Sequence, residues 1–161
     1  MGALSLWQDG TIIVHTIRRG QFMKSIKPPC ESSLPATVSN LAVGLEGQII
    51  VQTTVDKFAL HLYSVNGKHL SSVPLEEQVT VLCVTEEFVV LGTMQCSLQI
   101  LDLQSLQAAV LPMPMKVPVH SVSVTKEKSH ILVGLEDGKL IVVGAGQPSE
   151  VNGDRPLLVV R

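Results

Sequence analysis

Residues Val122 to Gly144 read VSVTKEKSHILVGLEDGKLIVVG, and their punctuation constrains the fold more than any other stretch does. Three short apolar runs, Val122-Ser123-Val124, Ile131-Leu132-Val133 and Leu140-Ile141-Val142-Val143, are held apart by Lys126-Glu127-Lys128 and by Glu136-Asp137-Gly138-Lys139. An Asp-Gly pair between two β-branched runs is a strong hairpin signal, because glycine accepts the positive φ that a tight turn needs. The stretch therefore predicts three short antiparallel strands. If it recurs along the chain, the protein is a stack of small sheets, and function lies on what those sheets display.

It does recur. In an incomplete first unit, Leu4 to Trp7, Thr11 to Ile17 and Gln21 to Ile26 read as strands, turned by Asp9-Gly10 and by Arg18-Arg19-Gly20. In the second, Val38 to Val43, Gln48 to Thr54, Ala59 to Val65 and Lys68 to Val73 are strands, with turns at Glu46-Gly47 and Asn66-Gly67. In the third, the strands are Val79 to Val84, Phe88 to Gly92 and Ser97 to Leu103, with Gln107 to Leu111 as a fourth. Pro112, Pro114 and Pro118 mark the connection to the fourth unit, since proline does not join a central ladder. Aligned on their third strands, Ile12, Leu60, Leu98 and Leu140 fall in equivalent places, spaced by 48, 38 and 42 residues. Gly92 and Gly134 each stand six residues before the aligned leucine.

A period near forty with about four short strands per unit is the signature of a WD-repeat β-propeller. A single β-sandwich of many short strands is the competing architecture. Recurrence of whole units favours the propeller: all-β, a single partial domain over 1–161, with about 3.5–4 blades of four antiparallel strands. The blade units are approximately 1–29, 35–74, 77–112 and 117–161. Helix is nearly absent, with Leu75-Glu76-Glu77-Gln78 read as one helical turn.

Composition closes off several function classes. Hydrophobic residues make up 45% and aromatics only 3%, so the apolar content is aliphatic and suited to strands. A net charge of −2 gives no field to attract a phosphate backbone, so nucleic acid is not expected as a partner. Cys30, Cys83 and Cys96 are odd in number and lack a Cys-x-x-Cys spacing, which argues against a disulfide framework and a zinc site. Cys83 and Cys96 are expected to be small core residues. No apolar run reaches the ~20 residues that span a bilayer. MGALSLWQDG lacks the pattern of a secretory leader, and Leu6 stands where a myristoylation signal wants Ser or Thr. These features predict a cytoplasmic location, at most peripheral to endomembranes.

The Trp-Asp pairs that name WD repeats are degenerate here: their places read His15-Thr16, Tyr63-Ser64, Leu101-Asp102 and Val143-Gly144. The turn aspartate survives as Asp9 and Asp137, while Lys57 and Gln95 stand near that place in the middle units. The usual hydrogen-bond network inside each blade is therefore expected to be largely missing. Longer strings carry a closer likeness. DGTIIVHTIRRGQF (Asp9 to Phe22), PPCESSL (Pro28 to Leu34), ALHLYSVNGK (Ala59 to Lys68) and VTKEKSHILVGLEDGKLIVVG (Val124 to Gly144) resemble the C-terminal propeller of the neurobeachin family of BEACH-domain scaffolds. The resemblance covers roughly Asp9 to Val151. It implies work in membrane trafficking and secretory-granule biogenesis through protein contacts. It also implies that the chain is a fragment whose BEACH domain and PH-like domain would lie upstream. Gly2 to Gln8 and Asn152 to Arg161 depart from the family pattern, which leads us to expect an alternative or partial product of a larger gene.

No catalytic pattern emerges. His120 and His130 lack a third ligand at metal spacing. Ser121, His130 and Asp137 lack the nucleophile elbow of a hydrolase. Gly144-Ala145-Gly146 lacks the third glycine and following helix of a phosphate loop. No cofactor and no metal are expected. The marked residues are the turn formers Asp9, Gly10, Asn66, Gly67, Asp137 and Gly138. Beside them stands a basic group, Arg18, Arg19, Lys24 and Lys27, read either as solvated surface or as a contact for an acidic partner or an anionic membrane. Pro112-Met113-Pro114-Met115 reads equally as an adaptable exposed loop or as a plug against a neighbouring blade. The expected function is a non-catalytic protein-interaction platform. Its partners are other proteins, with the missing blades or BEACH region of a parent scaffold as candidates. The alternatives are a non-functional truncated or spliced product and, less favoured, a propeller enzyme, which would need ionisable residues converging at equivalent strand starts, where this chain has mainly Val, Thr and Ser. An open stack leaves two end faces uncovered, so the chain alone is expected to be marginal, adhesive or dependent on a partner.

Overall fold

Every regular element among the described residues is a strand, and the strands fall into four antiparallel sheets. The computed structural model describes residues 2–7, 9–29, 37–54, 57–127, 129–144 and 157–160. The first sheet holds β1 (Gly2–Leu6), β2 (Ile12–Thr16) and β3 (Phe22–Ile26). The second holds β4 (Val38–Val43), β5 (Ile49–Thr54), β6 (Phe58–Tyr63) and β7 (His69–Leu75). The third holds β8 (Val79–Val84), β9 (Phe88–Thr93), β10 (Ser97–Asp102) and β11 (Met113–Pro114). The fourth holds β12 (Val119–Val124), β13 (His130–Leu135), β14 (Leu140–Gly144) and β15 (Leu157–Val160). Within each sheet the strands lie side by side in chain order.

The aligned residues share one place in the ladders. Ile12 pairs with Leu6, Leu60 with Gln52, Leu98 with Gly92 and Leu140 with Gly134. By this register β1, β2 and β3 match the second, third and fourth strands of the other sheets. The innermost place of the first sheet is not filled by any described residue.

Strands buried on both faces account for the runs of apolar residues without alternation. Ile49 and Val51 face the first sheet and join Ile12, Val14, Ile26 and Tyr63 in one layer. Ile50, with Leu60 and Leu62, faces the third sheet and meets Val89, Leu91, Leu101 and Leu106. Val90 and Leu98 face the fourth sheet and meet Val119, Val133 and Leu135. The core is thus three separate layers, one between each pair of neighbouring sheets. At the innermost strands the sheets are also tied by hydrogen bonds. Asn40 Nδ2 donates to Val79 O at 3.2 Å, and Thr80 Oγ1 donates to Val119 O. β4, β8 and β12 each carry a bulge just after the first valine.

The structure corrects three local expectations. Gln107 to Leu111 is not the fourth strand of the third sheet. Asp102 Oδ1 accepts from the backbone N–H of Ser105 at 2.8 Å and of Gln104 at 3.1 Å, which turns the chain away. The segment returns to β10 in one isolated bridge, Leu101 with Ala108, made by Asp102 N–H to Gln107 O and Ala109 N–H to Ile100 O, both at 2.8 Å, and Met113–Pro114 pairs with Ser97 and Leu98 instead. Met113 and Met115 pack into the layer between the third and fourth sheets, so the Met-rich segment is the plug and not the free loop. Second, Leu75 ends β7, and Glu76-Glu77 form a bend with no helical turn. Third, Cys96 is not a core residue. It occupies the turn between β9 and β10 with φ +63°, at the place where the matching turns have Gly10 (φ +76°) and Gly138 (φ +81°). Cys83 does lie on β8, packed into the layer facing the fourth sheet. Cys30, Lys128 and 145–156 lie outside the described residues.

The left-handed backbone costs an L side chain about 1–2 kcal/mol, and glycine's extra freedom in the unfolded chain returns part of that. Cys96→Gly is accordingly expected to raise stability by about 0.5–1 kcal/mol. A higher urea midpoint at unchanged slope is the readout; a lower midpoint would show that the sulfur contributes packing that outweighs the strain.

Candidate functional site

The turns sort onto two ends of the stack, because antiparallel strands alternate direction. One end carries the turns from second to third strand. There Asp9 Oδ1 accepts from Thr11 N–H at 3.0 Å, and that bond, chiefly, holds its carboxyl below the usual carboxylate range. At the same end Asp137 is held low by the Lys139 ammonium that it binds. Gly10 and Gly138 each complete the turn with an N–H donated to the carbonyl three residues back, Trp7 O and Leu135 O, both at 3.0 Å. The opposite end carries Asn66-Gly67 and Arg18-Arg19. Gly67 donates to Ser64 O at 2.8 Å, and Gly20 to Thr16 O at 2.8 Å. The six turn residues therefore form two groups.

The basic residues are divided as well. Arg18 and Arg19 are exposed at the second end. Lys24 is half-buried, and its Nζ donates to Asn66 O at 2.6 Å, joining β3 to a turn of the second sheet. Lys27 follows β3 and lies close enough to Asp9 to lower its pKa, so it belongs to the first end. Next to Arg18 and Arg19 the chain exposes Ile17 at 55% and Phe22 at 63%, and the second sheet's turns at the same end expose Leu45 at 75% and Val65 at 56%. A Cβ placed on Gly47 would lie 2.8 Å from Val65 Cγ2, so the turns carrying Leu45 and Val65 touch. Sequence reasoning missed these four. Their signal was an apolar residue in or beside a polar turn, as in Leu45-Glu46-Gly47 and Val65-Asn66-Gly67.

Two polar networks stand inside the sheets, where degenerate repeats led us to expect little. In the third sheet, Glu77 Oε2 accepts from Thr93 Oγ1 and from Ser97 Oγ, each at 2.6 Å, and so links the bend after β7 to β9 and β10. In the second sheet, His61 lies between hydroxyls, with Nε2 3.0 Å from Thr53 Oγ1 and Nδ1 2.7 Å from Ser72 Oγ. Ser72 Oγ is also 2.6 Å from His69 Nε2. Burial, and then the nearby His69 charge, push the His61 imidazole below its ordinary pKa. Burial pushes the Tyr63 phenol up to about 12.

A histidine whose folded pKa is lowered binds its proton more readily when unfolded. Its contribution to stability is complete above the unfolded value near pH 6.5 and is lost as pH falls below it. Thermal melts of the unaltered chain and of His61→Gln should therefore converge on acidification from pH 7.5 to pH 5. Parallel pH dependences would contradict this.

The imagined reactive groupings do not assemble. His130 opens β13 and Asp137 lies in the turn after it, a strand's length of about 20 Å away at ~3.3 Å per residue. Ser121 is opposite Gly134, and His130 Nδ1 contacts Ser129 Oγ at 2.8 Å. Among the described residues, no group of three His, Cys, Asp or Glu is placed to hold a metal. No helix among them is long and apolar enough to cross a membrane, which says nothing of a strand-built barrel.

Comparison with known proteins agrees with this geometry. The sequence profile of the neurobeachin β-propeller domain matches residues 3–151. BEACH domain-containing protein B of Arabidopsis thaliana is 32% identical over 143 residues, covering 88% of this chain and 5% of that protein. The chain thus spans a small part of that relative's length. Among solved structures, the computationally designed Ika4 protein matches with a TM-score of 0.69 and 18% identity, over 90% of this chain and 86% of its own. A chain of the mitotic checkpoint complex matches with 0.69 and 12%, over 91% and 49%. The designed Ika8 protein matches with 0.71 and 19%, over 89% and 42%. At such identities these likenesses speak for the fold alone, and the fold is an all-β propeller stack. With the profile matched over most of its length, the chain belongs to the neurobeachin β-propeller family of the BEACH-domain proteins.

Proposed function

We propose that this chain is a non-catalytic interaction platform from a BEACH-family scaffold, acting at endomembranes in vesicle trafficking and secretory-granule biogenesis. Within the family, Val89 to Leu101 (VVLGTMQCSLQIL) and Ala145 to Val151 (AGQPSEV) favour neurobeachin-like protein 2 as the nearest kin. The units near 1–29, 35–74, 77–112 and 117–161 act as one partial propeller. The observation that carries the reading is the second end of the stack. Exposed Ile17 and Phe22 flank Arg18 and Arg19 along the chain there, and exposed Leu45 and Val65 stand on turns of the second sheet at the same end, which suits a protein partner that offers an acidic, partly apolar segment. Turn residues on a rigid sheet stack are the customary place for such contacts. Lys24 and the Asn66-Gly67 turn hold that end in shape, while Asp9, Gly10, Asp137 and Gly138 set the other end and Lys27 lies beside it.

The test is proximity labelling in cells with the unaltered chain and with Arg18→Glu/Arg19→Glu/Leu45→Ser. A platform working through this end loses its labelled trafficking neighbours in the variant while keeping its expression level. An unchanged set of neighbours would refute the assignment of the surface. A set containing no trafficking proteins in either case would refute the role.

A further inference from the structure

We infer that Asn66 is a site of spontaneous deamidation, at which the carboxamide is hydrolysed to a carboxylate with the Lys24 ammonium assisting from the neighbouring sheet. The chemistry goes beyond the platform reading and stands without it, because it concerns the covalent bonds of one turn.

Four turns share one hydrogen-bond pattern. Trp7, Gly44, Ser64 and Leu135 each donate N–H to the carbonyl four residues on, at 2.8 or 2.9 Å. Each also accepts from the glycine three residues on, which is Gly10, Gly47, Gly67 or Gly138. Those glycines have φ between +71° and +87°. In three of the turns the residue before the glycine carries a carboxyl, Asp9, Glu46 or Asp137; in the fourth it is Asn66. An ionised carboxylate is a poor electrophile, and bonds from Thr11 N–H and from the Lys139 ammonium hold Asp9 and Asp137 in that form. The neutral carboxamide of Asn66 is open to attack. Asn66 is exposed, and Gly67 brings no side chain to shield its own nitrogen.

Lys24 sets this turn apart again. Its Nζ donates to Asn66 O at 2.6 Å. That carbonyl belongs to the same peptide unit as the Gly67 nitrogen. When the nitrogen gives up its proton, the negative charge spreads onto Asn66 O, where the ammonium stabilises it. Against this, Gly67 N–H is held by Ser64 O at 2.8 Å, and that bond opens before the nitrogen reacts. The turn delays the reaction and the ammonium speeds it.

The step balances with water as the only co-reactant. Gly67 N loses its proton to base and attacks Asn66 Cγ. The N–Cγ bond forms, the Cγ–Nδ2 bond breaks, and Nδ2 takes up a proton and leaves as ammonia. Water then opens the five-membered succinimide at either carbonyl. Cleavage of the N–Cγ bond leaves aspartate. Cleavage at the backbone carbonyl carbon leaves isoaspartate, with the chain running through Cγ. Aspartate suits the turn: Asp9 and Asp137 each accept from the N–H two residues on, at 3.0 and 3.3 Å, and Lys68 N–H stands in that place here. Either product puts a negative charge beside Lys24 and takes the formal net charge from −2 to −3. On the platform reading, and only on it, this end then loses grip on an acidic segment as the molecule ages.

The test is peptide mass spectrometry of the folded chain held at pH 8, beside the same chain unfolded in urea. Trypsin cuts after Lys57 and Lys68, so Asn66 is read apart from Asn152, whose Asn152-Gly153 pair lies outside the described residues. Aspartate and isoaspartate are expected at Asn66, forming more slowly in the folded chain than in the unfolded one and severalfold faster at pH 8 than at pH 7. Lys24→Met should slow the folded-state reaction at least threefold and leave the unfolded rate unchanged, while Lys24→Arg keeps the rate within twofold. If circular dichroism shows that Lys24→Met fails to fold, Lys24→Gln takes its place. An Asn66 that stays intact in the folded chain after the unfolded chain has converted would overturn the inference. So would a folded Lys24→Met or Lys24→Gln chain that converts as fast as the unaltered one.

Discussion

Leu98→Ala is expected to destabilise the chain by about 2–5 kcal/mol, and Leu140→Ala by about 1 kcal/mol or less. The two leucines hold the same place in successive sheets and differ only in what lies against them. Leu98 is fully buried between the third and fourth sheets, packed in the layer with Val119 and Val133. Leu140 is 42% exposed on the face of the fourth sheet that no described element covers. Truncating Leu98 removes its transfer free energy and leaves a cavity in a layer gripped from both sides. Truncating Leu140 removes surface that water already reaches. Urea denaturation of both variants at one protein concentration gives the comparison. Equal losses would mean that the face carrying Leu140 is covered in solution.

A second paired comparison uses glycine. A Cβ on Gly92 would overlap Val119 Cγ1 and lie 2.7 Å from Val119 Cβ and 2.9 Å from Val81 Cγ1. Val119 is itself buried and anchors β12, so it has nowhere to retreat. Gly92→Ala is therefore expected to cost about 1–3 kcal/mol through overpacking, despite the gain from a less flexible unfolded chain. Gly134 has the matching place in the fourth sheet, but its added Cβ would meet only the Ser121 hydroxyl closely, with the next atom at 3.6 Å. Ser121 is exposed and its hydroxyl can rotate away, so Gly134→Ala is expected to change stability by no more than about 0.5 kcal/mol. Thermal melts decide between them. A Gly134→Ala loss as large as that of Gly92→Ala would show that the fourth sheet's outer face is packed against something.

Much of the architecture was legible in the chain because the repeat is written in residue types with few structural uses. Asp9-Gly10, Asn66-Gly67 and Asp137-Gly138 each sit between runs that carry apolar residues, and the alignment of Ile12, Leu60, Leu98 and Leu140 fixed the register of whole sheets. The third sheet was harder, because its turns use residues that do not advertise a turn. Cys96 takes a left-handed conformation where its counterparts have glycine. Leu106 has φ +57° in the loop after β10 and is buried, so tertiary packing holds a backbone state that local propensity disfavours. With that loop misread, Gln107 to Leu111 looked like a strand, and the short pairing of Met113 went unseen. The polar networks were illegible for another reason. Glu77 meets Thr93 and Ser97 only after the chain has bent, and no spacing in the sequence encodes that meeting. The exposed end at Ile17, Leu45 and Val65 escaped notice because scattered apolar residues in turns carry no periodicity.

Because the apolar interior is divided into three layers with no common centre, the two outer sheets are each held from one side only by the described residues. Resistance to fluctuation should then grade along the chain, with amides of β5, β6, β9 and β10 exchanging last and the first and fourth sheets fraying independently. Such a molecule can yield one terminal sheet to a binding event while the central pair stays folded.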